Sequence, residues 1–162
     1  MIRVLAIGNR QKQDDAIAIL IAEQLKDNFS NSDIDIIIGE VNYEYCFELL
    51  KEEDLIIILT AIHSHKFPGT ISLCALDKAI NDYSSTICLT NIFDLMKQYQ
   101  LTYTGYMLGI HISDINFNTE ISHCLLENFK EIYKNIQAII INILKNEKFL
   151  NTIRLCNQKD EI

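Results

Sequence analysis

The chain has 162 residues, of which 49% are hydrophobic and 22% are charged, so a disordered chain is excluded and one globular domain is expected. The formal net charge is −8, which would repel phosphate backbones and argues against general nucleic-acid binding. No apolar run approaches the roughly 18 residues of a membrane span. The chain starts with a strand pattern instead of a signal peptide. Five scattered cysteines without a C-x-x-C pair predict reduced thiols and a cytoplasmic location.

The first third of the chain alternates short apolar runs with helical patterns. The aliphatic run Leu55–Leu59 is the clearest signal of a buried strand. We predict, in order, strand Ile2–Ile7, a helix from near Asp14 or Asp15 to about Asn28, strand Ile34–Ile38, helix Tyr43–Leu50 and strand Leu55–Leu59.

The remaining segments continue the alternation. We predict a loop at Ala61–Pro68, an edge strand at Thr70–Leu76, a helix at Asn91–Tyr99 capped by Thr90, a strand at Tyr106–Ile110 and a long last helix capped by Ser122. Alternating strands and helices predict a three-layer α/β fold, with a mostly parallel sheet between helices. We place one domain at residues 1–145 and a weakly patterned, polar C-terminal tail, of the kind that is often partly disordered, at residues 146–162.

Paired carboxylates follow the first predicted strand. Gly8 ends that strand, and Asp14 and Asp15 stand where the first helix begins. A cap and a first-turn acid would explain both carboxylates, because the helix N-terminus favours negative charge. In an open α/β sheet, however, this loop lies at the carboxyl ends of the strands, where ligands bind. Asp14 and Asp15 are therefore candidate site residues.

Three of the four histidines are predicted near the same edge of the sheet. His63 and His65 follow the third predicted strand, and His111 follows the last one, although each could be an ordinary loop histidine. Neither H-x-x-x-H nor a dinucleotide or P-loop glycine pattern is present. For nucleophilic catalysis there is no G-x-S-x-G, and Cys46 and Cys88 are only weak candidates.

Several short motifs occur in one order along the chain. Ala6-Ile7-Gly8-Asn9, four variable residues and Asp14-Asp15-Ala16-Ile17 resemble the opening motif of the [NiFe]-hydrogenase maturation endopeptidases. Further segments that resemble this family are Phe47–Leu50, Asp54–Ala61, Pro68-Gly69-Thr70, Gly109-Ile110 and Ile121-Ser122. Together they cover roughly residues 1–145.

This resemblance implies a fold and an activity. The fold is a twisted five-stranded sheet between helices, of the phosphorylase/hydrolase-like type. The activity is cleavage of a C-terminal extension from the large-subunit precursor of a [NiFe] hydrogenase, a protein partner, after nickel insertion. The family's three ligand positions for a divalent metal fall here on Asp15, Thr60 and Asn91. By resemblance, Asp15 is the catalytic residue that helps hold the substrate's nickel and orients attack on the nearby peptide bond.

Two of these three positions have changed. Thr60 stands for an aspartate and Asn91 for a histidine, and a hydroxyl and an amide are poor ligands for nickel or zinc. Either the metal site is rebuilt from residues of the same edge, or the chain is a degenerate member that binds a hydrogenase-like partner without cutting. The candidates for rebuilding are Asp14, Asp15, His63, His65 and His111. A third alternative, a small-molecule enzyme that uses the same cleft, is not supported by any cofactor-binding motif in the sequence.

Overall fold

A five-stranded sheet forms the centre of the protein. The computed structural model describes the backbone of residues 1–30, 33–82, 87–100 and 103–157, and the side chains of residues 1–30, 33–81, 92–100 and 103–147. The strands are β1 Ile2–Ile7, β2 Ile34–Glu40, β3 Leu55–His63, β4 Ile71–Ala75 and β5 Thr104–Ile112. Their order is β2-β1-β3-β5-β4, and β4 alone is antiparallel to its neighbour. The predicted mostly parallel sheet is confirmed.

Helices cover both faces of the sheet, which confirms the three-layer α/β prediction. They are α1 Ile17–Phe29, α2 Tyr43–Glu48, α3 Leu76–Asp82, α4 Ile87–Gln98 and α5 His123–Asn157, preceded by a 3-10 turn at Gln13–Ala16. One core cluster joins α1 and α5 to the sheet, and the other joins α2, α3 and α4. Successive residues of β1 alternate between the clusters, as Val4 and Leu5 do, because side chains of a strand point to opposite faces.

Two strands extend further than their apolar runs. The pairing of β3 with β5 continues through Ala61–Ile110, Ile62–His111 and His63–Ile112. The predicted loop at Ala61–Pro68 is therefore wrong in its first three residues, and His111 lies inside β5. Backbone pairing does not require apolar side chains, so a polar residue ends the apolar pattern without ending the strand.

Some of the predictions about the helices are also wrong. Helix α3 was missed, because it follows β4 at once and is short, and α4 begins at Ile87, so Thr90 lies inside it and is not its cap. Ser122 precedes α5 and accepts a hydrogen bond from the Leu126 N–H through its backbone carbonyl (2.9 Å), whereas its hydroxyl has no hydrogen-bond partner in the described structure. The predicted side-chain cap is therefore not formed.

The last helix passes the domain boundary that we placed after residue 145. Helix α5 continues to Asn157, and no glycine or proline interrupts residues 146–157. Residues 158–162 of the predicted tail lie outside the described residues. In the described part of the chain, no helix combines the length and apolar character needed to cross a membrane.

Helix α2 packs on β2 through a cysteine. Cys46 is fully buried, and a Cβ built on Gly39 of β2 would lie only 1.9 Å from its Sγ. The missing side chain at Gly39 thus makes the space that the sulfur occupies. Burial raises the pKa of the Cys46 thiol to about 11, so the thiol is neutral at neutral pH.

Candidate functional site at the carboxyl edge

The loop after β1 folds back on itself and holds Asp15. A Cβ at Gly8 would lie 2.3 Å from the carbonyl oxygen of Asp15, so the close approach of the two backbone segments requires glycine. The Asn9 N–H donates a hydrogen bond to Asp15 Oδ2 at 2.8 Å, and the residue is only 5% exposed. The loop therefore fixes this carboxylate by a backbone contact.

Asp14 links this loop to the connection between β5 and α5. Its Oδ1 accepts a hydrogen bond from the Ser122 N–H at 2.6 Å, and its own N–H donates to the Asp114 carbonyl at 3.2 Å. The residue is fully buried, and Oδ2 has no hydrogen-bond partner among the residues described. The position before the 3-10 turn belongs to Lys12, so neither acid is the cap that the sequence allowed.

Thr60 lies at the same edge of the sheet. It is opposite Ile7, the last residue of β1, and opposite Gly109 of β5. Its fully buried hydroxyl donates a long hydrogen bond of 3.4 Å to the Ala61 carbonyl. The 3-10 turn that carries Asp15 contacts β3, so Asp15 is not at the opposite edge. Asn91 belongs to α4, but its side chain is outside the described set.

The structure separates the candidate histidines. His63 is exposed, and its Nε2 lies 3.0 Å from the Ser113 carbonyl oxygen, while His65 is exposed in the following loop. Among the described residues, no group of three or more His, Cys, Asp or Glu side chains could hold a metal ion. A metal site rebuilt from Asp14, Asp15, His63 or His65, and His111 therefore has no support in this part of the chain.

His111 is buried between two serine hydroxyls. Its Nδ1 lies 2.7 Å from Ser64 Oγ and its Nε2 lies 2.5 Å from Ser72 Oγ, and the residue is 2% exposed. Burial lowers the pKa of His111, and the positive charge of Lys66 lowers it further, so the imidazole is neutral at pH 7. Both ring nitrogens are thus engaged by hydroxyls and are not free to bind a metal.

A tight turn produces this arrangement. Gly69 has φ = 91°, its N–H donates to the His111 carbonyl (2.8 Å), and the His111 N–H donates to the Thr70 carbonyl (2.8 Å). The turn therefore places Ser64 and Ser72 on either side of one histidine. Sequence reasoning missed both serines, because no spacing rule connects them to a histidine about 40 residues away.

Solved structures share this architecture. The hydrogenase maturating endopeptidase HybD from E. coli aligns with a TM-score of 0.70 and 15% identity, over 87% of this chain and 92% of that chain. The fold is that of hydrogenase maturation proteases. The maturation protease HycI from Thermococcus kodakarensis aligns at 0.64 with 23% identity (89% and 92% covered), and HybD from the same organism at 0.64 with 14% (85% and 97%). The resemblance seen in the sequence is thus confirmed for the fold.

At these identities, the likeness to hydrogenase maturation proteases is one of fold. No protein-family model matches the sequence, and no curated protein is significantly similar to it. The ordered set of motifs from the first loop to Ile121-Ser122 therefore remains the sequence feature in which this chain resembles them.

The clefts in the described part of the chain include two that lie beside α4 and α1. The first has a volume of about 510 Å³ and lies between the segment after β2 and α4, lined by Val41, Asn42, Tyr43, Glu44, Asp94, Leu95 and Gln98. The second, of about 740 Å³, lies between α1 and the start of α5, with Glu23, Asp27 and Glu120 in its lining. Acidic side chains contribute to both, which favours a partner segment with positive charge.

Proposed function

We propose that this chain is a divergent hydrogenase maturation protease that cleaves the C-terminal extension of a [NiFe]-hydrogenase large-subunit precursor. One observation carries the proposal: on this fold, the Gly8-to-Asp15 loop holds a nearly buried carboxylate at the carboxyl edge of the sheet. Ligands of open α/β sheets bind at this edge. The aligned proteins from E. coli and Thermococcus are described as maturation endopeptidases or proteases, and the proposal extends that activity to this chain.

The donor groups of the site do not fit a divalent metal resident in the protein. Asp15 supplies one carboxylate, and Thr60 supplies a neutral hydroxyl that is already directed at a backbone carbonyl. Nickel and zinc prefer imidazole, thiolate or several carboxylates. We therefore assign nickel to the substrate, and assign to Asp15 the role of contacting the nickel-bearing region and orienting the adjacent peptide bond.

The cleft between the segment after β2 and α4 is a suitable place for the precursor's extension. It begins beyond Glu40 at the carboxyl edge, and α4 also carries Asn91, one turn before the cleft residue Asp94. Glu44 and Asp94 make its lining acidic. We expect the bound segment to contain lysine or arginine, because opposite charges steer association.

A second candidate function is binding of the precursor without cleavage. The buried, neutral hydroxyl of Thr60 favours it, because it cannot supply the negative charge of the aspartate that the family resemblance implies at this position. A chain of this kind would hold the precursor and leave its extension in place.

One experiment separates the two functions. A nickel-loaded large-subunit precursor is incubated with the intact chain, its mass is measured, and co-elution of the two proteins is followed by gel filtration. A maturation protease produces a defined C-terminal truncation that Asp15→Asn abolishes. The matched control is Asp77→Asn in α3, an exposed acid away from the site, which should cleave like the wild type.

Each outcome of this experiment is decisive. An uncut precursor that co-elutes with the chain supports the binder and refutes the protease. If the precursor neither loses its extension nor co-elutes, both functions are wrong. For the binder, Thr60→Asp together with Asn91→His should introduce cleavage, since the double substitution restores the carboxylate and the imidazole of the family pattern.

A further inference from the structure

Four side chains form a continuous hydrogen-bonded chain beside the β4–β5 pair. Lys66 Nζ lies 3.5 Å from Ser72 Oγ, Ser72 Oγ lies 2.5 Å from His111 Nε2, and His111 Nδ1 lies 2.7 Å from Ser64 Oγ. The Lys66 N–H also donates to Ser64 Oγ at 3.2 Å. We name these four residues the serine–histidine cluster. They are separate from Asp15, the residue of the candidate maturation site.

The directions of the hydrogen bonds to His111 depend on its tautomer. A lysine ammonium can only donate, so Ser72 Oγ accepts from Lys66. In the His111 tautomer that can serve as a base toward Ser72, the Ser72 hydroxyl donates to Nε2. A neutral imidazole that accepts at Nε2 carries its proton on Nδ1, which then donates to Ser64 Oγ. The serine at one end is thus a donor to the imidazole, and the serine at the other end is an acceptor from it.

Burial differs along the serine–histidine cluster. His111 is only 2% exposed, so water does not compete for its Nε2, whereas Ser72 is half-buried and Lys66 is exposed. Ser72 is therefore the half-buried member between an exposed lysine and a buried imidazole. Burial also keeps the pKa of His111 low, so the imidazole is in the state that accepts a proton.

We propose that Ser72 is the nucleophile of an acyl-hydrolase site, with His111 as its general base and Ser64 as the residue that orients the imidazole. A nucleophile within hydrogen-bond reach of a base, which a third group orients, is the arrangement that activates serine in unrelated enzymes. Lys66 provides a positive charge at the oxygen where negative charge develops. The substrates are carboxylic esters and related acyl compounds. This activity is separate from precursor cleavage and needs no metal.

The chemical step uses only groups of the cluster and water. Ser72 Oγ attacks the acyl carbon, its proton moves to His111 Nε2, and the carbonyl π electrons move to the oxygen near Lys66. The tetrahedral intermediate then expels the alkoxide, which takes the proton from Nε2, and an acyl-serine remains. Water attacks this ester while Nε2 accepts the water proton. Release of the carboxylic acid returns the proton to Ser72 Oγ.

Covalent labelling tests the nucleophile directly. The intact chain is treated with a fluorophosphonate probe, the modified residue is located by peptide mass spectrometry, and hydrolysis of p-nitrophenyl acetate is measured in parallel. Wild type should be labelled at Ser72, and Ser72→Ala should lose the label and at least about 10²-fold of the rate, because it removes the nucleophile and with it the general-base step that alone contributes about 10²–10⁴-fold. Ser113→Ala, an exposed serine one residue beyond β5, is the matched control and should behave like the wild type.

The role of Ser64 is tested separately, because it acts through His111. Ser64→Ala should lower kcat and leave KM unchanged, and Ser64→Thr, which retains a hydroxyl, should restore most of kcat. Thermal unfolding midpoints of all variants exclude a loss of folding. A wild-type chain without label, or an equal label in Ser72→Ala, would overturn the proposal. Cleavage of the hydrogenase precursor is not measured here, so this failure leaves the maturation function to its own test.

Discussion

The β1 end and the β5 end of the carboxyl edge hold their polar side chains in different ways. At the β1 end, the carboxylates of Asp15 and Asp14 accept hydrogen bonds from backbone N–H groups. At the β5 end, His111 is held by two side-chain hydroxyls. The position of a carboxylate that accepts from backbone N–H groups depends on the conformation of the loop. The position of His111 depends instead on the serine side chains at positions 64 and 72.

Because of this difference, we expect the two ends to tolerate different substitutions. Replacing a side chain around Asp15 leaves the backbone donor of Asn9 in place. Removing one hydroxyl at the β5 end frees a nitrogen of a buried imidazole and costs the full desolvation of that group. We therefore expect the two ends to respond independently to local changes and together only to changes in the shared sheet.

The largest effect should come from the strand between the two ends. Ile57 of β3 is fully buried and is opposite Val4 of β1 and Tyr106 of β5. Ile57→Ala should cost about 2–5 kcal/mol of unfolding free energy, from lost burial and the cavity left behind. Urea unfolding measures it, and Leu73→Ala on the edge strand, where the residue is 47% exposed, is the control with a small cost. An unchanged midpoint for Ile57→Ala would contradict the core position of β3.

A smaller effect, confined to the β1 end, is expected from Gly8→Ala. The new Cβ would lie 2.3 Å from the Asp15 carbonyl oxygen, and this atom belongs to backbone and cannot rotate away. We expect a cost of about 1–3 kcal/mol, which is typical of overpacking, together with displacement of Asp15. Urea unfolding and labelling of Ser72 are measured on the same variant. If Ser72 labelling is lost in the folded variant, the two ends are coupled and the comparison is wrong.

The smallest effect is a pH dependence at the β5 end. Burial and the charge of Lys66 lower the pKa of His111 in the folded protein below its ordinary value of about 6.5. The unfolded chain therefore binds more protons, and this stabilising contribution is complete above pH about 6.5 and is lost as pH falls below it. The urea midpoint should drop between pH 7.5 and pH 5.5, and the drop should shrink in His111→Gln. An equal drop in that variant would assign the effect to another group.

The sequence predicted the β1 end better than the β5 end, for a physical reason. The residues from Gly8 to Asp15 are neighbours in the chain, so their spacing already indicates a turn with paired acids at a strand end. The serine–histidine cluster joins the segment from Ser64 to Ser72 to a histidine about 40 residues away, and its geometry depends on the Gly69 turn and on the antiparallel pairing of β4 with β5. No local sequence pattern indicates either the turn or the strand pairing.

The elements were predicted to different degrees for a related reason. The cores of β1 and β3 were found because both faces of these strands are buried, which gives an unbroken apolar run. The ends of β3 and β5 were missed because a polar residue, Thr60 or His111, interrupts the apolar run, although pairing continues to His63 and Ile112. Thr60 accordingly lies inside β3, three residues before its end, and not in a loop after it.

The close contact between Cys46 and Gly39 has a kinetic consequence. A thiol enclosed between α2 and β2, with a pKa of about 11, cannot react with an alkylating reagent in the closed protein. Alkylation at Cys46 must wait for α2 to separate from the sheet, as amide exchange waits for local opening. Its rate therefore reports how often this short helix opens. Because Tyr43 and Glu44 of α2 also line the first cleft, a ligand that fills the cleft will slow that reaction.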